Sequence, residues 1–176
     1  MLNFAVNGLI DVALPLFLKQ QVGVSAGPRA FGIIIGGFGL GSVIGAIVAG
    51  LASKLRRKIL VAVLTLFPTG VLIGLVPLVA NQYAIAGLFC GAGLSNAIGN
   101  VLFITVVQKL VPLRMMGRMM SVLMLGSFIG TPLSLVAYGF AATIVPSVGA
   151  LFVIGSSLFV VMAVVALFNK RTWQIQ

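Results

Sequence analysis

The chain contains no histidine and no glutamate, and its one acidic residue is Asp11. Each absence removes a class of chemistry. Without histidine, no Ser-His-Asp or Cys-His nucleophile system can be built. A lone aspartate cannot supply the carboxylate pair that glycoside hydrolysis needs. Zinc centres draw on several His, Cys or carboxylate ligands, and these are missing in number. The one cysteine, Cys90, lies in an apolar run and cannot form an internal disulfide. No enzyme activity, metal or cofactor is therefore expected.

Charge is scarce too. Only 7% of the 176 residues are charged, against about 25% in a soluble domain. Hydrophobic residues make up 61%, and the mean hydropathy is +1.27. A water-soluble fold of this size cannot hide so much apolar surface, so the expected solvent is a lipid bilayer. The net charge of +10 would suit a nucleic-acid binder if cations covered a soluble, polar face. Instead the eleven Lys and Arg residues sit in gaps between apolar runs, as topology signals do, and no nucleic-acid partner is expected. The opening "MLNFAVNGLIDVALPLFLKQQ" lacks a basic leader, and Asp11 interrupts its apolar core. It reads as a first membrane span and not as a signal peptide.

A spanning helix needs about 20 mostly apolar residues. Six segments qualify: 2–18, 30–51, 59–80, 83–107, 119–143 and 149–168. The expected fold is all-α, one bundle of six transmembrane helices over residues 1–176. Lys54, Arg56, Arg57 and Lys58 fall between the second and third spans. Lys109, Arg114 and Arg118 fall between the fourth and fifth, and Lys170 and Arg171 follow the sixth. These nine share one side, whereas Lys19 and Arg29 lie on the other. Positive charge is retained in the cytoplasm, so both termini are expected there, in the cell membrane. An even number of spans demands the same result. Trp173, beside Lys170 and Arg171, sits where an interfacial anchor belongs.

Small residues recur at four-residue spacing. The second span has Gly37, Gly41, Gly45 and Ala49; the fourth has Gly87, Gly91, Ser95 and Gly99; the fifth has Gly126, Gly130 and Ser134. Such ladders flatten one helix face and let two backbones approach closely. They predict an inner set of the first, second, fourth and fifth spans, with the third and sixth outside. Pro15, Pro68, Pro77 and Pro132 lie inside spans and predict kinks.

Asp11 sits mid-span, where insertion costs roughly 2.5–3.5 kcal/mol. Asn3, Asn7 and Asp11 form one polar stripe by their spacing, and Asn96 and Asn100 form another in the fourth span. If the stripes face each other, they line a polar track. An acid in low dielectric holds its proton more readily, so Asp11 reads as a proton carrier. An equal reading has it hydrogen-bonded to an asparagine, holding two helices together. No "TVGYG" filter and no arginine repeat is present, so channel readings are weak.

Four features then resemble one family. "GLASKLRRK" (50–58) is similar to the loop motif of the major facilitator superfamily, with Ser53 and Lys54 where the family has an acid. "GRMMS" (117–121), after "VPLRM", is similar to the entry into the penultimate helix of drug-efflux or secretion-effector types. "GSFIGTPLS" (126–134) resembles that helix's Gly/Pro-rich stretch. The outer placing of the third and sixth spans is the fourth. The missing loop acid, the missing arginine in the fourth span and the short lead-in before the first span resemble the C-terminal half of such a protein.

The resemblance implies alternating access between two six-helix bundles. It implies a second bundle as partner and a small hydrophobic molecule as substrate. Asp11, Asn7, Asn96 and Asn100 would line the cavity. Arg56, Arg57, Lys58 and Arg118 would shape the cytoplasmic gate. Gly37, Gly41, Gly45, Gly126 and Gly130 would pack helices. The alternative is a membrane module that does not itself transport, a truncated remnant or a scaffold subunit.

Overall fold

Glycine and aliphatic residues alternate across Gly27–Leu51 and form one uninterrupted helix in the computed structural model, which describes residues 9–21, 27–51, 58–79, 81–145 and 147–168. Lipid offers no hydrogen bonds, so the backbone must satisfy its own polar groups. That demand outweighs the poor helix propensity of glycine. Among the described residues every regular element is helical. A π turn, Leu9–Ala13, leads into α1 (Leu14–Gln21). Then come α2 (Gly27–Leu51), α3 (Lys58–Leu64), α4 (Leu66–Gly74), α5 (Gln82–Leu110), α6 (Met116–Ile144) and α7 (Val148–Phe168). Short 3-10 turns at Val76–Leu78 and Leu113–Met115 close α4 and open α6.

Among the described residues, four stretches are long and apolar enough to cross a membrane: Gly27–Leu51, Val61–Leu78, Gln82–Leu110 and Leu113–Ile144. The described part of the first predicted span is shorter, and so is the apolar stretch found in α7. The third predicted span breaks at Thr65. Pro68 has no N–H to donate to the carbonyl four residues back, that of Leu64, and α3 ends there. Hydroxyls flank the break: Thr65 Oγ1 donates to the Ala62 carbonyl and Thr69 Oγ1 to that of Thr65, both at 2.8 Å. Asn81 caps α5, its Oδ1 accepting from the Tyr83 N–H at 3.0 Å.

The most extensive contact joins α2 to α5. A Cβ placed on Gly37 would lie 2.8 Å from the Ala86 carbonyl oxygen. On Gly41 and Gly45 it would overlap the carbonyls of Cys90 and Leu94, and on Gly93 that of Phe38. Partners lie 49 positions apart in each α2 case (37 and 86, 41 and 90, 45 and 94), so the two helices run parallel. Ser42 ties the pair, donating to the Phe38 carbonyl at 2.9 Å and reaching that of Gly93 at 3.4 Å.

The remaining packing differs from the expected inner and outer sets. The third and sixth predicted spans, now α4 and α7, press on each other and build much of the core. Phe152 and Phe159 of α7 are fully buried, and Phe152 meets Phe17 of α1 edge-on at 5.4 Å. Gly70 and Gly74 make room for Phe159 and Ser156. By contrast α6 buries only Ser134 and Tyr138. At Gly126 and Gly130 a Cβ would meet nothing, so these two do not pack a helix within the described chain. A small-residue ladder permits close approach, but large side chains decide where apolar area is buried.

Candidate functional site

The acid lies where the first helix is wound irregularly. In an α-helix the N–H of residue 15 would bond the carbonyl of residue 11. Pro15 has no N–H, so the α pattern cannot close onto Asp11. The chain winds more widely there, as the π turn Leu9–Ala13. Such single turns recur at functional sites. Asp11, Pro15 and Lys19 are all exposed and share a face by their spacing. Ala13, Leu14, Phe17 and Leu18 are buried on the other. Lys19 stands about 12 Å further along the axis. No ion pair reaches Asp11 among the described residues. Asn7 lies outside them.

Pro15→Ala restores the missing donor. The π turn is expected to convert to α, rotating residue 11 by about 100° relative to Phe17. Thiol labelling checks this. Asp11→Cys in a Cys90→Ala background should label freely with Pro15 in place and several-fold more slowly with alanine there.

The second polar pair is on α5. Asn100 Nδ2 donates to Asn96 Oδ1 at 2.8 Å and to the Asn96 carbonyl at 3.1 Å. This fixes the Asn96 amide, since a flip would set two donors against each other. Asn96 Nδ2 is left buried with no acceptor. By helical spacing the pair shares the face of Ile85 and Phe89. On a neighbouring face, Gly99 admits Thr65 so closely that a Cβ would lie 2.6 Å from its Oγ1. The π turn packs chiefly on α6, α7 and α1, whereas Asn96 and Asn100 belong to α5. No hydrogen bond joins the two stripes among the described residues.

The basic residues fall at helix ends. Arg118 is exposed in the first turn of α6. Lys58 begins α3, and Arg56 and Arg57 lie outside the described residues. One polar atom escaped the sequence reading. Tyr138 is 6% exposed, its hydroxyl is buried without a partner, and it joins Ala13, Leu14 and Leu151 in the core. Its signal was present: Gly130, Ser134 and Tyr138 continue the four-residue ladder of α6.

Long apolar helices with exposed hydrocarbon faces, one acid on a π turn and a polar pair on α5 describe a membrane protein. The Major Facilitator Superfamily profile matches residues 1–174. The chain belongs to this family. No curated protein and no solved structure matches it. Membrane transport is thus its general function. In this major facilitator chain, the match spans Asp11, the Asn96–Asn100 pair and Arg118 alike. A major facilitator works on small molecules from within the bilayer, and the apolar exteriors of α2 and α6 suit that solvent.

Proposed function

We propose that the chain is the C-terminal six-helix half of a proton-coupled exporter of small hydrophobic molecules, working by alternating access. Asp11 carries the proton. Asn7, Asn96 and Asn100 line the cavity with it, and Asn96 Nδ2 offers substrate a hydrogen-bond donor. Arg56, Arg57, Lys58 and Arg118 stand at the cytoplasmic gate, in a cell membrane with both termini cytoplasmic. The observation that carries this reading is Asp11, the sole acidic residue, exposed on a π turn with no ion-pair partner among the described residues. An unpaired acid at such depth is costly unless function requires it.

A partner bundle follows from α6. Phe128, Ile129, Val136 and Phe140 are exposed along it, and among the described residues nothing lies opposite Gly126 and Gly130. The second bundle covers this face. The same observation favours the other reading, a module that does not transport alone. Flux in proteoliposomes decides between them. The chain joined to its complementary bundle should move a hydrophobic dye when a pH gradient is imposed. Dye movement indifferent to the gradient sinks proton coupling. No movement by the assembled pair sinks export.

A further inference from the structure

The corner between α5 and α6 carries three cations within ten residues: Lys109, Arg114 and Arg118. All three are exposed, and none has an ion-pair partner among the described residues. Acidic side chains are scarce throughout, Asp11 being the single one. The parallel register of α2 and α5 places this corner at the end of the fold opposite Arg29. Its backbone is tight. Pro112 is extended, and the Met115 N–H closes onto the Pro112 carbonyl at 2.9 Å.

Apolar side chains interleave with the charges. Leu110 is 59% exposed, Leu113 is 90% and Met115 is 53%. In water such a tip would be unfavourable, and inside the hydrocarbon the cations would be. One environment suits both: the headgroup layer, where apolar groups reach the acyl boundary and cations meet phosphate.

We propose that this corner is a binding site for anionic phospholipid headgroups. Arg114 and Arg118 present planar guanidinium forks to phosphate oxygens. Lys109 adds a point charge, and Leu113 and Met115 reach toward the acyl chains. The site requires only the exposed corner and its charge, and it stands whether or not the chain transports.

The test uses the purified full chain in neutral detergent micelles. It is titrated with phosphatidylglycerol or with phosphatidylcholine of the same acyl chains, and bound lipid is counted by native mass spectrometry. Phosphatidylglycerol should be retained in preference, and the preference should shrink as salt is raised. Arg114→Gln alone should weaken it about fivefold, and Lys109→Gln/Arg114→Gln/Arg118→Gln together about a hundredfold. Lys19→Gln/Arg29→Gln, at the opposite end, should leave it unchanged. Inorganic phosphate at millimolar concentration should not displace the lipid. The salt series on the unaltered chain needs no variant to fold. Equal retention of the two lipids, or a preference that survives in the triple variant, overturns the proposal. So does displacement by inorganic phosphate, which would make the site one for a free anion.

Discussion

Gly41→Leu is expected to abolish the folded chain. The α2–α5 contact is made by backbone against backbone. A Cβ on Gly41 already overlaps the Cys90 carbonyl, as one on Gly45 does that of Leu94, and on Gly37 it would lie 2.8 Å from the Ala86 oxygen. No rotamer change relieves a clash with a main-chain carbonyl. Overpacking a well-fitted core costs about 1–3 kcal/mol, and more where nothing yields. The cost here should exceed about 3 kcal/mol, beyond the upper end of that range. Gly126→Ala is the matched control. Nothing lies within 4 Å of its Cβ, so alanine should be neutral or stabilising by up to about 1 kcal/mol through helix propensity. Thermal unfolding in detergent reads both. A Gly41→Leu protein that keeps the parent midpoint would show that α2 and α5 are not held this way.

Asp11→Asn is expected to reduce proton-driven flux to background while leaving the fold intact. Asparagine keeps the size and polarity of aspartate but has no titrating proton. Asp11 is exposed and has no ion-pair partner among the described residues, so no described ion pair is broken. Removing an acid from mid-span should if anything favour insertion. Asp11→Glu should retain coupling with altered pH dependence. The measurement is dye flux against imposed pH gradient in proteoliposomes, alongside the unfolding midpoint. A gradient-driven flux unchanged in Asp11→Asn would return Asp11 to the structural role that the sequence left open for it.

The extents of α2, α5 and α6 were legible because bilayer thickness demands long apolar helices. The span expected at 83–107 emerges as Gln82–Leu110, and that at 119–143 as Met116–Ile144. Packing was legible for α2 against α5 and not for α4, α6 and α7. Glycines at the same spacing in α2 and α6 have opposite fates: Gly41 touches backbone and Gly126 faces open space. Spacing states which approach is allowed and carries no information about what stands opposite. The prolines announced irregularity without its form. Pro68 gives a break at Thr65, Pro15 a wider turn around Asp11, and Pro132 stays within an unbroken helix. Of the site, Asp11 and the asparagines were visible as rare polar residues. The Asn100–Asn96 bond and the unpartnered Asn96 amide needed side-chain geometry.

The parallel α2–α5 pair also imposes a schedule. Its partners are 49 positions apart, so a growing chain presents the flat face of α2 long before α5 exists. At roughly 5–20 residues per second, several seconds pass in between. During that interval α3 and α4 must enter the bilayer and turn back, with α2 still unmatched. The contact therefore closes only when α5 emerges, still ahead of the core contacts that α7 brings through Phe152 and Phe159, and α2 needs lipid or an insertion factor against its glycines until then.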